Sequence, residues 1–245
     1  MRDTQMRAKI LVPMTAFTIA GAALTAQADV MIGDTIDLTF QDVDPGRAVD
    51  WEFRNNDGTS RAGFFNWEGG IQTFCIQIRE DIADNEAVTY NVVSLESVPD
   101  RPPQPGAIGA ERAIVIRDLY SRYYDLVLSK SGAAAKNHAA AFQIAIWEIS
   151  HEQNADGDAA SIVSDLDLSR GKAEFEASNA VMNIAETMLA GLGDGGFLSS
   201  FTLLGLTHMQ YQDQIMVVES STVVPGIGSL AILGGIGAIR GRRRR

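Results

Sequence analysis

Cys75 is the only cysteine in the chain, so it has no partner for an intramolecular disulfide. In an oxidising compartment an odd cysteine points to intermolecular pairing or to a thiol kept for chemistry. The candidate for that chemistry is Gln143, 68 residues on, in the run Ala141-Phe142-Gln143-Ile144-Ala145-Ile146-Trp147. A thiol and a carboxamide can condense to a thioester with loss of ammonia. Such a bond is an internal crosslink and a stored electrophile. The carboxamide carbon is a poor electrophile in water, but a thiol held close to it gains a large effective molarity. Hydrogen-bond donors nearby would stabilise the tetrahedral oxyanion. An apolar setting would slow hydrolysis, and Phe74, Phe142 and Trp147 are placed in sequence to supply it. Each residue also has a plainer reading. A lone strand cysteine is commonly a buried small hydrophobe, a glutamine in an alanine-rich helix a surface or capping residue, and Trp147 a core residue.

Other constellations offer less. His138, His151 and His208 stand at unrelated spacings, and His151-Glu152 lacks the second histidine of a zinc-protease helix. No Gly-x-Ser-x-Gly elbow is present. Asn154-Ala155-Asp156-Gly157-Asp158 has its glycine misplaced for an EF-hand and no glutamate at the twelfth position, so it reads as a polar loop. Asp81, Asp84 and Glu86 are the other acidic set a cation could use. No metal site and no cofactor is assigned.

The elements that must position Cys75 and Gln143 follow from periodicity. Residues 31–40 alternate as a strand, and Asp44-Pro45-Gly46 reads as a turn. Asn55-Asn56-Asp57-Gly58 suggests a hairpin between strands at 48–54 and 61–67. Residues 71–78 form a strand with Thr73, Cys75 and Gln77 on one face and Phe74, Ile76 and Ile78 on the other. A strand at 87–98 ends in the loop Arg101-Pro102-Pro103-Gln104-Pro105-Gly106, the best internal boundary. Helices are predicted at 111–130, 133–151 and 172–192. In the second, Gln143, Ile146 and Trp147 share a face with Ala139 and Ala140. Strands at 197–206 and 210–218 return to the sheet. The expected fold is α+β: a β-sandwich or barrel-like part from 29–100 and 197–218, with three packed helices from 107–192.

The ends read as address labels. Arg2, Arg7 and Lys9, an apolar run from Ile10 to Leu24 and Ala26-Gln27-Ala28 fit a secretory signal over residues 1–28. At the other end, Val223-Val224-Pro225-Gly226 leads into an apolar, glycine-rich stretch and then Arg242, Arg243, Arg244 and Arg245. The 17 residues 223–239 are at the lower limit for a bilayer span, and the arginines would stay cytoplasmic. Between the ends, twelve basic face thirty acidic side chains, a net charge of −18. Phosphate binding needs a basic patch, so nucleic acid is not expected as a partner.

The C-terminal arrangement resembles the PEP-CTERM sorting tails, with Val224-Pro225-Gly226 where those have Pro-Glu-Pro. The resemblance covers residues 223–245 and implies export, transient inner-membrane anchoring, cutting by a membrane processing protease, and release to the cell surface or an extracellular matrix. Phe74-Cys75-Ile76 and Gln143-Ile144-Ala145-Ile146-Trp147 resemble the two motifs of the thioester domains of bacterial surface adhesins, an aromatic-Cys on a strand and a Gln-x-Ala-Ile-Trp on a helix. The likeness spans roughly residues 70–218, with Gln212-Asp213-Gln214-Ile215 in a fitting late strand. It implies a Cys75–Gln143 thioester within 29–222 that acylates an amine on a surface or matrix protein or polysaccharide. The reaction would be single-use, so the chain would not be an enzyme. The alternative is a noncovalent structural or carbohydrate-binding matrix component.

Overall fold

The computed structural model describes residues 30–99, 106–152 and 157–218. The signal (1–28), most of the proline-rich loop and the tail with Val224, Pro225, Gly226 and Arg242–Arg245 lie outside the described residues. No described helix is long and apolar enough to cross a membrane.

The fold is α+β. Seven strands, β1 (Thr35–Phe53), β2 (Asn56–Trp67), β3 (Gln72–Cys75), β4 (Ala87–Ser94), β5 (Ala173–Glu176), β6 (Thr202–Thr207) and β7 (Gln214–Val218), form one antiparallel sheet. Among the described residues four helices accompany it: α1 (Gly109–Leu128), α2 (Gly132–His151), α3 (Ala159–Asp165) and α4 (Asn179–Ala190). The pairings run β1–β2–β3–β7–β6–β4 and back to β1, so the hydrogen-bonded circuit closes in a barrel-like way. β5 adds to the far end of β1. A single apolar core joins sheet and helices.

Several elements differ from expectation, each for a local reason. Asp44-Pro45-Gly46 does not reverse the chain. β1 runs through it with two register shifts, so Pro45, which has no N–H, falls where the ladder is already interrupted. β2 closes on that irregularity at Gly46↔Gly63, and a Cβ on Gly63 would stand 2.3 Å from the Pro45 carbonyl oxygen. The hairpin reverses at Arg54-Asn55, ahead of Asn56-Asp57-Gly58. Both have positive φ (51° and 62°) and Phe53 pairs Asn56, the two-residue turn that suits strand twist. Gly58 serves space instead, because a Cβ there would meet Trp51 Cζ2 at 2.7 Å.

The expected helix 172–192 splits. Ala173-Glu174-Phe175-Glu176 alternates inward apolar with outward acidic residues and pairs with β1 as β5, and only 179–190 is helical. The unexpected α3 is nucleated by Asp158, whose carboxylate accepts the Ser161 N–H at 2.9 Å. The strand at 71–78 is regular only over 72–75, and that at 87–98 ends at Ser94 in a 3₁₀ turn (Leu95–Ser97). Residues 197–201 and 210–213 are not strand.

α2 packs against β1, β2, β5, α1 and α4. Every residue from Ala139 to His151 is buried, so the helix has no solvent face there to contrast with the one carrying Gln143. Its alanines let these neighbours approach closely, and it is apolar around its circumference, as a central helix is.

Candidate functional site

β3 pairs with β2 only at Gln72↔Asn66 and Thr73↔Phe65. On its other edge it pairs with β7, and Ile76 N–H continues that edge by donating to the Asp213 carbonyl (3.0 Å). A strand residue sends its N–H and C=O to the same edge, and alternate residues serve opposite edges. Cys75, two residues after Thr73, therefore directs both groups to the edge that β2 has left. The Gln143 side chain from α2 fills that place. Gln143 Oε1 accepts the Cys75 N–H at 3.1 Å, and Gln143 Nε2 donates to the Cys75 carbonyl at 2.7 Å. The carboxamide thus acts as one more rung of the ladder. Both residues are 0 % exposed.

The structure brings the two predicted residues together and arranges their atoms usefully. Side chains stand roughly perpendicular to a sheet, whereas the Gln143 carboxamide is bonded along its hydrogen-bonding edge. A sulfur standing off the sheet in this way would approach the carboxamide from outside its plane, the direction from which a nucleophile adds to a carbonyl carbon. The Cys75 N–H already points at Oε1, where negative charge would develop.

The surroundings are dry. Phe74 packs on Phe64 (centroids 4.5 Å) and Phe142 (4.9 Å), and Tyr120 meets Phe142 edge-on at 4.9 Å. Trp147 stacks on Phe175 of β5 at 6.1 Å, with planes 13° apart. All three residues expected to shield the pair are buried. Phe175 also lines a surface cleft of about 530 Å³ with Trp51 and Leu168, so it stands between the cleft and Trp147.

Burial holds the Cys75 thiol well above the ordinary thiol range; the Trp147 side chain and the Cys75 N–H pull it back, and the charge of Glu80 adds to the rise. The thiol is thus protonated at neutral pH. The hydroxyls of Tyr90 and Tyr120 are buried without a hydrogen-bond partner among the described residues. Burial raises both, with nearby acidic groups including Cys75 adding to it.

The face of the 71–78 segment with Thr73, Cys75 and Gln77 is the more polar in side-chain type, yet all three are buried like the opposite face. Its polarity is consumed internally. Trp67 Nε1 donates to Thr73 Oγ1 (2.8 Å), which donates to Gln214 Oε1 (2.9 Å). Gln77 Oε1 accepts the Asp213 N–H (2.7 Å), and Gln212 Nε2 donates to the Gln77 carbonyl (2.9 Å). The segment 212–215 thus clamps the strand bearing Cys75. Sequence reasoning places Thr73 on the Cys75 face without a role and does not find Phe175, Tyr90 or Tyr120; the alternation at 173–176 points to the first of these three.

The remaining candidates do not assemble. Among the described residues no three His, Cys, Asp or Glu side chains converge as metal ligands. Glu86 bonds the Tyr211 hydroxyl, and Asp158 caps α3. His151 is buried beside Ser150 and held neutral, its pKa pushed down to about 3 by burial. Glu148, one residue beyond Trp147, is pushed up to about 8 by burial, against the Asp167 N–H it accepts, with Glu152 and Asp167 adding to the rise.

No protein-family model, no curated protein and no solved structure matches this chain.

Proposed function

We propose that this is an exported surface or matrix protein that attaches covalently to an amine-bearing partner through a Cys75–Gln143 thioester. One observation carries the reading: a fully buried carboxamide hydrogen-bonded on both sides to the backbone of the chain's only cysteine. The Cys75 sulfur adds to Gln143 Cδ, the Cys75 N–H holds the oxyanion on Oε1, and the bond to Nε2 breaks. The thiol proton leaves on that nitrogen, so thiol plus amide give thioester plus ammonia. Phe74, Phe142 and Trp147 keep water from the product. An incoming primary amine then takes the acyl group from sulfur, leaving an amide at Gln143 and a free thiol at Cys75. The attachment is used once. The likeness of the two motifs to adhesin thioester domains supports the reading. The PEP-CTERM-like tail supports export, transient anchoring and delivery to the surface by a processing protease.

The same two bonds favour a second reading. Gln143 completes the edge of β3 that β2 leaves unpaired, so it serves structure without chemistry in a noncovalent matrix component. Intact mass separates the two. The thioester form is lighter by one ammonia, takes up methylamine at Gln143 and then exposes one thiol. Cys75→Ala abolishes both changes. A wild-type chain of full mass that ignores methylamine refutes the covalent reading.

A further inference from the structure

Trp147 lies one turn beyond Gln143 on α2, on the same side. The turns around it are fixed to the strand bearing Cys75. Gln143 bonds Cys75, and Ser150 Oγ donates to the Ile76 carbonyl at 3.3 Å. Trp147 stands between these two tethers and so faces the same stretch of chain. Phe175, stacked on the indole, fixes the plane of the ring.

The indole N–H is anomalous. Trp147 is 1 % exposed, and its Nε1 makes no hydrogen bond of ordinary geometry among the described residues. Buried indole N–H groups normally find an acceptor. Trp67, the other buried tryptophan of the site, donates to Thr73. The group on which the Trp147 N–H bears is the Cys75 thiol, whose anion it favours. A thiol sulfur is a weak acceptor, and a charged acceptor makes the stronger hydrogen bond. The unmet N–H is thus a donor kept for a charge absent from the resting thiol.

We infer that Trp147 is more than a cover: its indole N–H is the donor that carries charge on the Cys75 sulfur while the sulfur bonds to, or leaves, Gln143 Cδ. This rests on the thioester reading above. In formation the S–H and Cδ–Nε2 bonds break, the Sγ–Cδ bond forms and the proton departs with ammonia. In attachment the amine nitrogen bonds to Cδ, the Sγ–Cδ electron pair returns to sulfur, and the proton shed by the amine ends on it. In both directions charge gathers on sulfur opposite the indole N–H. With the Cys75 N–H at Oε1, the site has one donor for each atom that becomes negative.

A covering role and a donating role predict opposite signs. Replacing Trp147 with 3-benzothienylalanine exchanges N–H for sulfur and keeps the ring shape. Tetrafluorotryptophan keeps the N–H and makes it more acidic, and it serves as the second variant should the first fold poorly. The assay is the rate at which methylamine consumes the thioester, followed by intact mass and thiol release, with near-ultraviolet circular dichroism reporting the fold. Removing the N–H is expected to slow the reaction by on the order of tenfold, the scale of one hydrogen bond to a charged group. Tetrafluorotryptophan is expected to speed it. Trp147→Ala, which strips the cover as well, is expected to raise spontaneous hydrolysis. Equal rates for the two analogues and the wild type, or the reverse order, overturn the donor role and leave the thioester standing. A wild-type chain that has lost no ammonia removes the bond itself, and this inference with it.

Discussion

Gln143→Glu tests the geometry of the site without requiring any thioester, provided it is made beside Cys75→Ala, which blocks the bond and keeps the backbone partners. Gln143 presents an acceptor to the Cys75 N–H and a donor to the Cys75 carbonyl. A protonated carboxyl at position 143 reproduces that pattern, but an ionised one cannot. Its second oxygen would face a carbonyl oxygen in a site with no exposure to water. The folded protein therefore holds the introduced carboxyl protonated, with a pKa above the unfolded value of about 4.3. A raised carboxyl pKa gives stability that is complete below the unfolded value and lost as pH rises through the folded one. Relative to Cys75→Ala alone, the double variant should lose about 1.4 kcal/mol per pH unit, or about 2.7 kcal/mol between pH 5 and pH 7. Urea unfolding at a series of pH values measures this directly. Glu148 and His151 titrate in both chains and cancel in the difference. Curves that stay parallel from pH 5 to pH 7 would mean that the second oxygen of residue 143 is solvated or has another donor, and the reconstructed rung is then wrong. The same carboxyl is what hydrolysis of a Cys75–Gln143 thioester would leave at this position.

Three further outcomes are expected. Asp118 is buried and accepts Arg122 Nε on both oxygens, with the N–H groups of Gly193 (2.8 Å) and Leu198 (2.7 Å). Asp118→Ala should cost about 3–5 kcal/mol and speed amide exchange at Gly193 and Leu198; a loss under about 1 kcal/mol refutes the hub. Glu148, pushed up to about 8, contributes stability at low pH that is lost as pH rises through that value. Glu148→Gln should therefore gain on the wild type between pH 5 and pH 8 and then level off, and a difference independent of pH contradicts the burial argument. His151 should keep its neutral imidazole resonance at about pH 5, below the ordinary histidine value, and a titrating His151 means that α2 is less enclosed than described.

What is legible in the sequence, and what is not, divides along one physical line. Periodicity locates α1 and α2 within two residues, because each is long and repeats over several turns. It also locates β4 and β7, with the start of β4 at Ala87 and the end of β7 at Val218 correct and the other end of each misplaced. Periodicity misreads 172–192 because the four residues of β5 are too few to outweigh the helical pattern that follows them. The turn at Arg54-Asn55 escapes it because the usual turn residues lie just beyond, at a site where Gly58 is needed to admit Trp51. The pairing of Cys75 with Gln143 reads from the sequence as a meeting of side chains; the structure shows that the Gln143 carboxamide also bonds the Cys75 backbone on both sides. A sequence shows sulfur and carboxamide; it does not show that β2 parts from β3 one rung early and leaves a backbone N–H and C=O in need of an amide. Filling that place gives α2 a reason to be central that is independent of any reaction. The fold must bury the carboxamide against Cys75 to satisfy the strand, and in doing so it holds the carboxamide against the cysteine's backbone before any bond is made. In this arrangement the ordering of the two groups is a by-product of completing a sheet, so a thioester would require little beyond exclusion of water and a donor for each atom that becomes charged.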